Sequence, residues 1–147
     1  MIKKFHFSLD RVLRVKEINE DKKKDEFQRA QKYKDQIEKQ LNELKQSKES
    51  IIKELNDTQK NPVQIQYLKT YHNYLSSLDE QITNQSYKLQ IAEKELKHVR
   101  QEWIDAKQEK RVLEKLKERH YQEFRKESLK QEQKVLDEMT VQSVYSR

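Results

Sequence analysis

Leu68, Tyr71, Leu75, Leu78, Ile82, Gln85, Leu89, Ala92, Leu96, Val99, Trp103 and Ala106 follow one another at alternating steps of three and four residues. Only Gln85 among these twelve is polar. The whole sequence is 33% hydrophobic, so an arbitrary register would place about four apolar residues in twelve such slots. A repeat of seven draws one narrow apolar stripe along a helix, and burying that stripe requires a second helix wound against it. The stretch predicts a coiled-coil helix, and the remaining chain must either pair with it or extend from its ends.

The composition agrees. Globular chains are about 45–50% apolar and about 25% charged, whereas this one is 39% charged, with a mean hydropathy of -1.28. Such a composition suits disorder, and disorder is expected over the first and last ten or so residues. The sustained stripe argues against it in between. There is no glycine, and Pro62 is the single proline. A chain without glycine lacks the usual residue for positive-φ turns and phosphate cradles, which argues against β-rich and α/β folds. No cysteine is present, so disulfides, zinc–thiolate sites and thiol nucleophiles are excluded. No apolar run approaches the roughly 18–20 residues of a membrane span, and no signal-peptide block opens the chain. A soluble protein is expected, reaching a membrane only through partners. The formal charge of +6 from 32 basic and 26 acidic residues reads first as a solvated helix surface.

At the start, Ser8 is the expected N-cap, Asp10 complements the helix dipole, and Phe7 with Val12 would form a hydrophobic staple. Phe5 has no such local role. The first helix carries a weaker stripe, with Leu9, Leu13, Phe27, Ala30, Ile37, Leu41, Leu44, Ile51 and Leu55 in one register. Lys16, Glu20, Lys23, Lys34 and Lys48 share that register, where polar residues cost stability but fix orientation. The charged run at residues 21–26 is a candidate mobile stretch.

Asn61 and Pro62 fit the N-cap and first position of a second helix. The expected fold is therefore all-α: one long two-helix antiparallel coiled coil. Helix 1 runs over about 9–57, a turn over 58–61, helix 2 over about 62–140, and a tail over 141–147. At 1.5 Å per residue the helices would measure roughly 75 Å and 115 Å. Leu9 would then lie level with Leu113, and the longer second helix would overhang.

No chemical motif appears. His6, His72, His98 and His120 share no i, i+4 pairing, and solvent-exposed helical positions suit them better than zinc or catalysis. Phosphate-binding loops, dinucleotide fingerprints and nucleophile elbows are absent. Neither an enzyme nor a cofactor or metal site is expected. Two features exceed what a plain coil needs. Residues 1–16 carry five basic residues against one acidic, and residues 107–126 carry eight against four; antiparallel folding brings these basic segments together. Tyr67, Tyr71, Tyr74 and Leu78 cluster at the start of helix 2, with Tyr74 on the flank of the stripe, as either an exposed anchor or a shield over the seam.

Phe5-His6-Phe7-Ser8-Leu9-Asp10-Arg11-Val12-Leu13 resembles the opening of the flagellar export protein FliJ family. So do the stretch from Tyr71 to Ile82 and the segment Arg111-Val112-Leu113-Glu114-Lys115-Leu116. The resemblance implies a non-enzymatic component of the flagellar type III export apparatus, cytoplasmic and peripheral on the cytoplasmic face of the membrane. It implies as partners the hexameric export ATPase FliI, the export gate FlhA and flagellar export chaperones. By that analogy Arg11, Arg14, Lys115 and Arg119 would address the ATPase ring, and Tyr74, Leu78, Tyr67 and Tyr71 the gate. Some family members have aromatics where this chain has Ser47 and Ile51. Two other readings stay open: a basic arm gripping a nucleic-acid backbone, which binds with a steep salt dependence, and a passive spacer.

Overall fold

A computed structural model describes residues 3–58 and 65–145. Two helices make up nearly all of this: α1, Asp10–Thr58, and α2, Ile65–Tyr145. Among the described residues there is no strand. The fold is an all-α antiparallel helical hairpin with the second helix the longer, as the stripe and the missing glycines require. Thr58, expected in the turn, still belongs to α1; Asn61 and Pro62 lie outside the described residues.

α1 starts one residue later than Ser8 would allow. The Leu13 amide donates to the Leu9 carbonyl at 2.9 Å and the Asp10 amide to the Phe7 carbonyl at 3.1 Å, which makes Leu9 the capping position. The cause is Phe7, which is drawn into the core and is only 3% exposed. Val12 is exposed, so no staple forms between them. At the other end α2 continues to Tyr145 instead of stopping near Thr140. The Thr140 hydroxyl donates to the Leu136 carbonyl at 2.9 Å, which satisfies the hydroxyl inside the helix instead of leaving it to break the turn.

The hairpin divides into two compact units. In the unit Lys23–Trp103, Lys23 meets Glu102 at 3.1 Å, Gln40 meets Gln85 at 2.9 Å and Lys48 meets Asp79. Numbers rise along one helix as they fall along the other, the signature of an antiparallel pair. Ile37, Leu41, Leu55, Leu78, Ala92, Leu96 and Val99 form its buried core. Phe27 stacks on Trp103 with ring centroids 5.1 Å apart, and the Arg100 guanidinium lies over the Phe27 ring. The charged run at 21–26 is regular helix throughout.

The second unit comprises Met1–Lys22 and Ile104–Arg147. Lys16 pairs with Glu109 at 3.0 Å, Lys117 with Asp10 at 3.0 Å and Lys110 with Glu20 at 3.7 Å. Asp10 meets Lys117, whereas the expected match of Leu9 with Leu113 placed the pairing about one helical turn away. The segment before α1 is ordered against α2. Phe7 packs edge-on to His120, and Phe5 lies between Tyr121 and Phe124 at 5.3 and 5.6 Å. The overhang therefore starts beyond Phe124, and every residue of 130–145 is exposed.

All twelve positions of the stripe from Leu68 to Ala106 are buried or half-buried, as are Leu13 to Leu55 of the matching register in α1. Leu9 alone departs, being partly exposed. The polar positions explain themselves. Lys16, Lys23, Lys48 and Lys117 each leave the stripe to reach an acid on the opposite helix, laying their alkyl stems over the seam. Such partly exposed pairs contribute little energy. Their effect is to make one register fit and its neighbours misfit.

Candidate functional site

With the stripe written as positions a and d of a heptad, the cross-helix contacts follow a rule. Lys48 and Lys117, at a, meet Asp79 and Asp10 at e; Lys16, Lys23 and Gln85, at d, meet Glu109, Glu102 and Gln40 at g. Each unit therefore has two distinct flanks, one built from g and c positions of both helices and one from e and b positions. This assigns every candidate residue to a face.

Within the unit Lys23–Trp103, Tyr67 and Tyr74 are both g residues and are 61% and 51% exposed. Tyr74 borders a shallow hollow of about 570 Å³ that also involves Ser47, Ser50 and Ile51 of α1. Tyr71 is half-buried in the stripe. Leu78 is 3% exposed: it lies wholly inside the seam and offers no surface. Of the expected quartet, the two flank tyrosines form the accessible part.

In the unit holding the helix ends, Arg119 falls at c on the g flank, whereas Arg11 and Lys115 fall at f, on the outward back of each helix. Arg14 falls at b on the opposite side, around a hollow shared with Asp10, Glu17 and Lys117. The structure thus spreads the four expected basic residues over different faces of the unit and sets Arg14 among carboxylates. Neighbouring lysines are partly neutralised by the ion pairs of Lys16, Lys110 and Lys117.

Shifted titrations belong to the seam and not to these surfaces. The hydrogen bond from Lys23 holds the Glu102 carboxyl below its usual value, and the same bond to Glu102 raises Lys23. His98 adds a contact to Glu102 at 2.8 Å. Lys34 is raised by its hydrogen bond to Glu38 one turn along α1. These are ion pairs that hold the helices' own side chains in place. Among the described residues, no three His, Asp or Glu side chains are grouped to hold a metal, and no helix is long and apolar enough to cross a membrane.

Two features escape a reading based on helical period. One is the clasp of Phe5 and Phe7. Its signal is the spacing of two, which sets both rings on one side of an extended segment. His120, expected as a solvent-exposed helical residue, is half-buried under this clasp. The other is a group of exposed aliphatic residues, Val12, Val15 and Val112, in the basic unit. Counting flank positions, and not only stripe positions, would have found them.

Two helices joined along one apolar stripe define an all-α coiled-coil protein. The family described as Flagellar FliJ protein matches residues 5–147. The chain belongs to the FliJ family and is a component of the flagellar export apparatus. No curated protein and no solved structure shows a significant match to it.

Proposed function

We propose that this protein is a non-enzymatic, stalk-like coiled coil that couples the cytoplasmic export ATPase FliI to the export gate FlhA and assists export of flagellar subunits. The observation that carries the reading is the separation of two chemistries on one hairpin. The unit holding the helix ends presents Arg11, Lys115 and Arg119, and the other presents Tyr67 and Tyr74. A basic surface is steered towards acidic loops around the pore of an ATPase ring. Half-exposed tyrosines are the residue type that anchors small interfaces, and they would address the gate. The protein would work in the cytoplasm, held at the membrane by these partners, with export chaperones as further contacts.

The experiment is a pull-down of the purified chain with the host's ATPase and with the cytoplasmic part of its gate, at physiological salt. Charge reversal at Arg11, Lys115 and Arg119 should abolish ATPase association and stimulation, while Tyr74→Ala should weaken gate binding alone. Retention of both contacts in the respective variants overturns the assignment. Binding to nucleic acid with a steep salt dependence would favour the rival reading.

A further inference from the structure

In the unit holding the helix ends, the seam is mostly charged. Where α1 faces α2, the seam positions are Leu13, Lys16 and Glu20 on one helix and Ala106, Lys110, Leu113 and Lys117 on the other. Four of these seven are ionic. In the unit Lys23–Trp103, the stripe from Lys23 to Leu55 and from Leu68 to Trp103 has only Lys23, Lys34, Lys48 and Gln85 polar among twenty-one positions. Burial follows the same division. Among the described residues, the unit Lys23–Trp103 buries seven apolar side chains, and the unit holding the helix ends buries three: Phe7, Leu13 and Ala106. Phe7 is the largest of those three, and it belongs to neither helix.

The ions do not make up the difference. Glu20 is 7% exposed and meets Lys110 at 3.7 Å. A buried ion pair returns little net stability, because each charge has left water to form it. The pairs of Lys16 with Glu109 and of Lys117 with Asp10 are partly exposed and contribute little. The strap of residues 3–9 supplies what the helices lack. Asp10, the first residue of α1, already faces Lys117, so the next seam positions of α2, His120 and Phe124, lie beyond the reach of α1. Phe7 packs on His120, and Phe5 packs on Phe124 and Tyr121. The Phe7 carbonyl also accepts from the Asp10 amide, which ties the seated ring to the first turn of α1.

We propose that residues 3–9 are a latch, and that the unit holding the helix ends is a separately opening jaw that this latch keeps shut. When Phe5 and Phe7 leave their seats, the ionic seam parts in one step back to Lys22 and Ile104, while the stripe of the unit Lys23–Trp103 stays closed. A coil built this way can part its ends without unwinding its middle. The device is independent of which partner the unit meets.

The test exploits the absence of cysteine. Spin labels are placed on the full chain at Val15 and Val112, 61% and 65% exposed, or at Tyr33 and Ile91, 58% and 52% exposed. Each pair reads the helix-to-helix distance inside one unit by double electron–electron resonance. In the parent, each pair should give a single short distance. F5A/F7A should add a long-distance population between Val15 and Val112 and leave Tyr33 and Ile91 unchanged. Amides from Leu13 to Lys22 should then exchange faster by one common factor, about tenfold or more. Leucine in place of both phenylalanines keeps apolar burial and should return the short distance. Adding E20L and K110L to F5A/F7A should also return it, because an apolar pair at that level holds the seam without a latch. The latch is refuted by an unchanged distance between Val15 and Val112 in F5A/F7A, by both pairs lengthening together, or by faster exchange that fades before Glu20. It is refuted equally if either the leucines or E20L/K110L fail to restore closure. No partner enters the experiment, so its outcome is separate from that of the ATPase and gate contacts.

Discussion

Phe7→Ala removes the most informative side chain of the segment preceding α1. At 3% exposure the ring has given up nearly all of its contact with water. An aromatic side chain buries roughly 150–250 Å², so at about 25 cal/mol/Å² the transfer term is about 4–6 kcal/mol as an upper limit. The site stands at a helix end, where the backbone relaxes readily and the unfolded chain already shields some surface. A loss of about 2–3 kcal/mol follows, equivalent to an opening equilibrium raised about 30- to 150-fold. Because opening is local, it should be read by amide hydrogen exchange. The Asp10 amide, bonded to the Phe7 carbonyl, and the Leu13 amide, bonded to the Leu9 carbonyl, should exchange faster by that factor. Amides near Ile37 and Leu96, deep in the other unit, should not change. Unchanged exchange at Asp10 and Leu13 would show that Phe7 is an ornament on a helix that begins by itself, and the reasoning about the delayed start of α1 would fall.

Leu78→Ala should destabilise the hairpin by about 2–4 kcal/mol in a denaturant titration, whereas Tyr74→Ala, on the exposed flank, should stay within about 0.5 kcal/mol of the parent. Acidification should lower the melting temperature through an acid step to which Glu102 contributes: its carboxyl lies below the usual 4.5, so its stabilisation is complete above that pH and is lost as pH falls through the lowered value. Glu102→Gln should shrink that acid step. Truncation after Ser128 should leave unfolding midpoints by circular dichroism unchanged, because every residue of 130–145 is exposed. Arg14→Glu should impair ATPase association less than Arg119→Glu, since Arg14 stands with Asp10 and Glu17 around one hollow.

The stripe was legible because period is a local property: each of its residues announces its face by spacing alone, and the structure buries or half-buries every position from Leu68 to Ala106. Pairing level was not so legible. A seven-residue repeat matches itself equally well one heptad along, and what selects among registers is the specific meeting of Lys23 with Glu102, Lys48 with Asp79 and Lys117 with Asp10. Those meetings depend on where the connection closes. The role of Phe5 and Phe7 was hidden for a different reason: their partners Tyr121, Phe124 and His120 lie more than a hundred positions away. For the candidate surfaces, residue type was visible but side was not. Arg14 and Arg11 look equivalent in the sequence, and only the rule joining a with e and d with g separates them. Leu78, already on the stripe, proves to be 3% exposed and so belongs to the seam alone.

The unbroken alternation of threes and fours has a consequence for how such a protein can change over generations. Deleting one residue from α2 turns everything beyond it by about 100°, carrying a hydrophobic seam round to water and leaving each lysine opposite the wrong neighbour. A loss or gain keeps the phase whole when it comes in sevens, whereas steps of three or four are absorbed by local over- or underwinding. In either case the facing helix must change by the same amount for cation and anion still to coincide. The facing of each lysine with its acid within a unit is therefore inherited most simply as a whole number of heptads. Any change of length there must come by matched insertion in both helices.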